Sequence, residues 1–387
     1  MTNYLIRRFF QMVLVVIVAS MSIYFILYLA PGGPLDEIRQ SGRGGTRVSA
    51  ITDADVQRLS EYLGLHRGPA WGYLAWLTGE DWMDVIPEGL WPTSSITGER
   101  APIQTLTCRA SPDACGHGVL RGDFGVSWEV ARGQPVGDVL LSRMRNTLIL
   151  MIGATFWSLL IAIPIGIYSA VHQYSRIDYA VTTFAFLGTA MPVFWFALMV
   201  IILVGGNQSP IYKVLNLPYM PTGNVTLLRD PLPGSLEKLL NITPGSGSDI
   251  MIHAALPTIV LSLLYMAGWS RFMRSSMLEV LRQDYVRVAR AKGLSERVVI
   301  YKHALRNALI PLITIVVFQI PGIFGGATIT ETVFNWPGMG FLYVNALGRS
   351  DYPVAMAFLF ISSVLVVIAT LLGDVLYTVV DPRIRFN

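Results

Sequence analysis

A chain of 387 residues that is 53% hydrophobic and only 14% charged carries more apolar surface than a soluble core of its size can hide, which excludes an ordinary soluble enzyme. The formal charge of +4 does not argue for a nucleic-acid partner, because the 29 Lys and Arg gather in short segments beside apolar runs, as membrane topology requires.

A helix needs about 20 apolar residues to cross a hydrocarbon core roughly 30 Å thick. The first such stretch is residues 9–30, and Arg7 and Arg8 before it place the amino terminus (1–30 with its span) in the cytoplasm by the positive-inside bias. Arg7-Arg8-Phe9-Phe10 also fits a twin-arginine export signal, but the apolar run exceeds a signal h-region and lacks a small-residue cleavage site. Residues 31–144 follow as a long external region. In it, Thr52-Asp-Ala-Asp55 with Val56, Leu59 and Leu63 predicts a short amphipathic helix. Residues 79–118, rich in Gly, Pro, Trp and Thr, show no period and predict an irregular lobe at the membrane surface. Cys108 and Cys115 both lie there, and an even pair on the oxidising side argues for a disulfide. With His117 nearby a metal site can be imagined, although a fourth zinc ligand is missing at sensible spacing; two free thiols are the third option.

Five further spans, at 148–171, 180–205, 252–270, 308–330 and 353–373, lie within a core of residues 145–378, and none of the six contains Lys, Arg, Asp or Glu. Pro164, Pro192, Pro257, Pro311 and Pro321 predict kinks. The region 206–249, rich in Pro and Gly, lies outside. A segment at 271–308 is basic, with nine Lys or Arg against Glu279, Asp284 and Glu296, and so faces the cytoplasm. The loop 331–352, with Arg349 as its one basic residue, faces out, and the tail 379–387 faces in. An all-α protein of the inner membrane with six spans and both termini cytoplasmic follows.

The chemistry of catalysis is missing. There is no Gly-x-x-x-x-Gly-Lys-Ser/Thr phosphate loop, no His-Glu-x-x-His and no Gly-x-Ser-x-Gly, and Ser270 in Gly268-Trp-Ser-Arg271 reads as an interfacial cap. Charge-free spans also speak against a proton- or sodium-coupled carrier, so energy must enter from elsewhere. The entry point is the basic segment. Met277, Leu281, Tyr285 and Val288 recur at helical spacing as one apolar face, with Arg282, Arg287, Arg290 and Lys292 on the others. Gly293 suits a left-handed helix end and Ser295 a new helix start, so an elbow protrudes from the membrane. By charge alone the segment could instead lie on anionic headgroups.

Here the chain resembles the integral-membrane subunits of binding-protein-dependent ABC importers, whose docking loop reads Glu-Ala-Ala, three residues, Gly. Ala289 and Gly293 match the last Ala and the Gly, while Arg287 and Val288 depart from the first two positions. Asp284-Tyr-Val-Arg-Val-Ala-Arg-Ala-Lys-Gly-Leu-Ser295 with His303-Ala-Leu-Arg-Asn-Ala-Leu309 is similar to the dipeptide and oligopeptide branch. Ala30-Pro-Gly-Gly-Pro34, Gly122-Asp-Phe-Gly-Val-Ser127, Arg145-Asn-Thr-Leu148, Pro192-Val-Phe-Trp195, Trp336-Pro-Gly-Met-Gly340, Asp351-Tyr-Pro353 and Asp381-Pro-Arg-Ile-Arg385 fall in the family's order; residues 79–118 are an insertion against its usual pattern.

The resemblance implies the type I importer permease fold and an ATPase-coupling loop at Asp284, Arg287, Ala289, Arg290, Ala291, Gly293, Leu294, Ser295 and His303. It implies as partners a second homologous permease subunit, two cytoplasmic ATP-binding subunits that hold the ATP and Mg²⁺, and an external solute-binding protein, with no cofactor on this chain. The outer loop, with Glu331, Trp336 and Gly338, is expected to reach toward the binding protein; its bland reading is an interfacial loop with an aromatic anchor. Thr189, Gln319 and Thr328 are candidates for the path wall, although such residues also serve as interhelical hydrogen-bond partners. Di- or oligopeptides are the expected cargo, with nickel chelates, glutathione or opines as same-family alternatives, and a channel or carrier that needs no ATPase as the distant one.

Overall fold

The computed structural model describes residues 2–29, 53–93, 100, 102–111, 113 and 115–380. The run Ala30-Pro-Gly-Gly-Pro34, Thr52 of the expected capping box and the tail Asp381-Pro-Arg-Ile-Arg385 lie outside them. Among the described residues regular structure is helical throughout, with only isolated β-bridges besides. The helices are α1 (Thr2–Leu29), α2 (Asp53–Tyr62), α3 (Gly68–Thr78), α4 (Leu106–Ala110), α5 (Val136–Val171), α6 (Arg176–Ala190), α7 (Val193–Val204) and α8 (Pro210–Leu215). They continue with α9 (Leu236–Leu239), α10 (Gly247–Leu281), α11 (Asp284–Ala291), α12 (Glu296–Val298), α13 (Leu305–Gly325), α14 (Thr328–Val333), α15 (Met339–Gly348) and α16 (Tyr352–Val380).

Among the described residues, five stretches are long and apolar enough to cross a membrane: Ile6–Leu29, Val136–Val171, Gly247–Leu281, Glu296–Val333 and Tyr352–Gly373. The sixth expected span, 180–205, is not a single helix; α6 and α7 meet at a bend of 107°. Pro192 accounts for the break. It has no N–H to donate and it pushes the preceding residue out of the helical region, so Met191 (φ −79°, ψ 132°) and Pro192 (φ −62°, ψ 132°) are both extended. Pro164, Pro257, Pro311 and Pro321 are instead carried inside α5, α10 and α13.

Two boundaries also move. Helix α5 starts at Val136 rather than at 148, and α10 runs on to Leu281, well past 270. Hydropathy marks the hydrocarbon, whereas the helical hydrogen-bond ladder continues into water. Ser270 is therefore not a helix-end cap: it is buried in mid-helix and donates to the Ala267 carbonyl at 3.3 Å.

The described residues divide into two compact units, one within 143–342 and 365–380, the other within 2–142 and 343–364. In the first, α10 is the central post. Half of its apolar window is buried, against 11% for α1. Small residues let neighbours approach it: a Cβ on Gly188 would stand 2.7 Å from the Ala267 Cβ, and one on Gly166 2.6 Å from the Met273 Cβ. Ser158 donates to the Ser262 carbonyl at 3.0 Å, tying α5 to α10. One apolar cluster, around Met273, Met277, Ala304 and Ala308, fills the half of this unit next to the elbow, and another, around Leu150, Val260, Phe334 and Trp336, fills the opposite half.

In the second unit, α3 packs on α1 and the lobe at 79–118 is organised by one carboxylate. Glu80 pairs with Arg67, accepts from the Thr105 N–H at 2.8 Å and hydroxyl at 2.9 Å, and is buried with both. Gly79 and Gly118 hold the ends of the lobe together, both at positive φ; a Cβ on Gly118 would fall 2.2 Å from the Gly79 nitrogen. Cys108 and Cys115 form a disulfide, as expected, so neither is free for a metal. Arg121, donating to both Asp81 oxygens at 2.6 Å, lowers that carboxyl to about 2.

Candidate functional site

The elbow between the fourth and fifth spans belongs wholly to the first unit. Helix α10 ends at Arg282, Gln283 turns extended (φ −72°, ψ 148°), and α11 begins a new register. The apolar face expected along Met277, Leu281, Tyr285 and Val288 is therefore interrupted. Met277 is buried, but in α11 it is Val286 and Ala289 that turn inward, onto Val299, Val280 and Leu281. Tyr285 and Val288 point out instead, 42% and 51% exposed.

Gly293 has φ +76°, the left-handed conformation expected of it, and nothing lies within 4 Å of where its Cβ would be. Its N–H donates to the Arg290 carbonyl at 2.9 Å, which closes α11. Ser295 stands at the start of α12, as expected, but makes no side-chain capping bond there. A π-helical turn, Val299–Ala304, then feeds into α13 and carries His303 half-exposed. Arg290 bridges the turn to Glu296 at 2.6 Å, and that bond holds its guanidinium firmly protonated, its pKa raised above the ordinary value. Arg287 pairs with Asp284 on its own helix.

The expected coupling residues thus form one outward ridge. Asp284, Arg287, Arg290, Ala291, Gly293, Leu294 and Ser295 are exposed, and Ala289 is the buried foot beneath them. Tyr285, Val288, Leu294, Val298 and Tyr301 put five large apolar side chains into this basic surface, more than a solvated loop has reason to show. Arg282, Lys292, Arg297 and Lys302 around them have no carboxylate partner among the described residues.

What fixes α10, the helix that leads into the ridge, to its neighbour α6 escapes sequence reading. Asp178, at the first turn of α6, is buried and accepts from Arg274 Nε at 2.7 Å and from its terminal nitrogen at 2.9 Å. The Tyr174 N–H adds a third bond at 2.9 Å and Ser169 a fourth. This two-pronged clamp locks α10 about two turns before its end at the elbow. An acid and a base 96 positions apart leave no periodic signal.

The outer-loop residues behave differently. Glu331 and Trp336 have no exposed surface, so they offer no side chain to a docked protein. Glu331 accepts from the Thr147 hydroxyl at 2.9 Å and the Phe341 N–H at 2.9 Å, and Trp336 donates its indole N–H to the Asn146 carbonyl at 3.1 Å. Gly338 packs so tightly that a Cβ would lie 2.5 Å from the Thr147 hydroxyl. The three hold the loop down onto α5, and Asn146 and Thr147 are the partners that the motif Arg145-Asn-Thr-Leu148 contains without showing their use. In the other unit, Asp351 ties a loop down in the same manner. It is buried and accepts from Ser127 Oγ at 2.5 Å and from the backbone N–H of Trp128, Glu129 and Val130.

The path candidates are not brought together. Thr189 bonds back to its own helix at Ala185, 2.9 Å away, beside the α6–α7 bend. Gln319 turns toward Tyr265, and Thr328 lies under Gly340, whose Cβ would meet it at 2.6 Å.

The sequence profile described as "Binding-protein-dependent transport system inner membrane component" matches residues 162–386, from within α5 to the carboxyl end. The oligopeptide transport system permease protein AppB of Bacillus subtilis is 36% identical over 386 residues, covering all of both chains. The dipeptide transport system permease protein DppB of Escherichia coli is 38% identical over 273 residues, 69% of this chain and 78% of that one. Among solved structures, the inward-facing MetNI methionine ABC transporter overlaps 63% of this chain and 96% of its own at 14% identity and a TM-score of 0.45. With a profile matched over more than half its length and an end-to-end relative above 30% identity, this chain belongs to the family of binding-protein-dependent transport system inner membrane components.

Proposed function

We propose that this chain is one permease subunit of an ATP-driven importer of di- or oligopeptides. The relatives' names supply the cargo class, and the observation that carries the mechanism is the exposed apolar ridge on a basic elbow that follows α10, a helix tied to α6 by Asp178 and Arg274. In this reading the ridge sits in a groove of a cytoplasmic ATP-binding subunit. Two such subunits hold ATP and Mg²⁺, and a second, homologous permease completes the path, because one six-span chain cannot easily enclose a peptide. An external binding protein delivers the cargo, and both termini lie in the cytoplasm. Closure of the ATPases pulls on the elbow and on α10, which leads into it, and the clamp carries α6 along with α10 as a rigid body, switching the bundle between inward and outward packing.

Gly293 is the sharpest test. Its φ of +76° costs an ordinary residue about 1–2 kcal/mol and a β-branched one more, while Asn tolerates it. Gly293→Val should lower ATP-driven peptide uptake by about tenfold or more while membrane insertion stays normal, and Gly293→Asn should keep most of it. Coupled transport unchanged in Gly293→Val would remove the ridge from the mechanism. Uptake of nickel chelates, glutathione or opines in place of peptides by the same assembly would change the cargo and leave the coupling intact.

A further inference from the structure

Helix α3 belongs to the external region by sequence, yet it carries no charge between Arg67 and Glu80, and those two pair with each other. Its contacts place its side chains below the membrane surface. The Tyr73 hydroxyl is 2.8 Å from Ser20 Oγ on α1, and Trp76 meets Phe360 of α16 edge to face at 5.7 Å. Gly72 lies where a Cβ would be 2.1 Å from the Tyr24 hydroxyl, so the helix rests directly on α1.

These contacts give two independent depth marks. Ser20 lies nine residues before the end of α1, about 13 Å along the helix, and Phe360 eight residues after the start of α16, about 12 Å. The spans Ile6–Leu29 and Tyr352–Gly373 exceed a 30 Å core by only about 6 and 3 Å. Even if all of that excess stood outside, Ser20 and Phe360 would still lie about 7 and 9 Å inside the hydrocarbon.

We infer that α3 is an interfacial helix embedded in the outer leaflet, binding phospholipid along the stripe Ala70, Leu74 and Leu77. These three share one helix face. Ala70 and Leu74 are exposed and Leu77 is half-exposed, whereas Gly72, Tyr73 and Ala75 are buried. The stripe continues the lipid-facing surface of α1, where Ile26 and Leu29 are 68% and 77% exposed. Trp71 supplies an aromatic side chain of the kind that settles at headgroup level, while Tyr73 and Trp76 reach deeper, onto α1 and α16. The inference rests on α1 and α16 crossing the bilayer and not on the cargo or the ATPase.

The test uses the full chain in phospholipid nanodiscs. Both native cysteines are consumed by the disulfide, so Leu74→Cys offers a single thiol for an environment-sensitive nitrobenzoxadiazole label, and Val85→Cys on the lobe is the aqueous control. Acyl-chain-brominated lipids should quench the label at Leu74→Cys by about twofold or more and leave Val85→Cys nearly unchanged, with iodide doing the reverse. Iodide quenching at Leu74→Cys equal to that at Val85→Cys would overturn the inference. So would protection from both quenchers, which would mean that a protein partner covers the stripe. Ala70→Cys reads the same face if Leu74→Cys fails to assemble.

Discussion

The elbow at 284–304 and the loop at 331–341 sit at opposite ends of one unit and are built in opposite ways. The outer loop turns its largest side chain, Trp336, and its acid, Glu331, fully inward and satisfies both on α5. The elbow turns small and aliphatic side chains inward, Val286, Ala289, Val299, Ile300 and Ala304, and leaves two tyrosines, two valines and a leucine in water among basic side chains. A segment that holds itself together spends its apolar area internally; one that keeps it on the surface is incomplete without a partner. The contrast moves the expected function of Glu331, Trp336 and Gly338 from contact to support.

Four substitutions would break this comparison if it is wrong. Trp336→Ala removes a fully buried aromatic side chain and should cost about 3–5 kcal/mol, seen as a large fall in apparent Tm and folded yield in detergent. Asp178→Ala leaves Arg274 without its carboxylate. Because that arginine still reaches solvent, the loss should lie near the lower end of the 3–5 kcal/mol typical of a broken buried pair, at about 3. Arg274→Lys keeps the charge but not the two-pronged geometry, and should retain part of the stability. Leu294→Ala, by contrast, should change Tm by less than about 0.5 kcal/mol equivalent while lowering ATP-coupled uptake. A Leu294→Ala protein as unstable as Trp336→Ala would mean that the ridge is ordinary packing.

Most of the bundle is legible in the sequence because crossing hydrocarbon imposes a length and a composition on each span, and six windows satisfy both. The glycine of the elbow is legible for a similar reason: φ +76° leaves a mark on residue type. What is not legible depends on long-range pairing. Asp178 with Arg274, Glu80 with Arg67 and Thr105, and Asp351 with Ser127 are each spread over several helices or loops, and no periodicity records them. The buried face of α11 differs from the expected one because 3.6-residue spacing does not carry across Gln283, where the backbone resets. The kink expected at Pro192 becomes a full break because Met191 is forced extended as well. Helix α3 leaves no distinctive mark, since a short apolar run between a paired Arg and Glu looks, in sequence, like any piece of a loop.

The smallest expected effect concerns the second unit, which like the outer loop supports itself. His66 is buried beside Arg67, with Nε2 2.7 Å from the Pro102 carbonyl and Nδ1 3.4 Å from that of Ser60. Burial pushes its pKa below the usual 6.5, and the neighbouring Arg67 guanidinium adds to the shift. Once pH falls through 6.5 the unfolded chain takes up a proton that the folded lobe does not, so stability present at neutral pH is lost progressively until the folded imidazole also titrates. Amide exchange around residues 65–80 should therefore quicken as pH falls from 7.5 to 5, after correction for the intrinsic rate, while exchange in the elbow core around Val286 does not. His66→Gln keeps a donor for the Pro102 carbonyl but cannot charge in this range, so it should flatten the dependence; a pH response that survives this substitution would assign it to another group in the lobe.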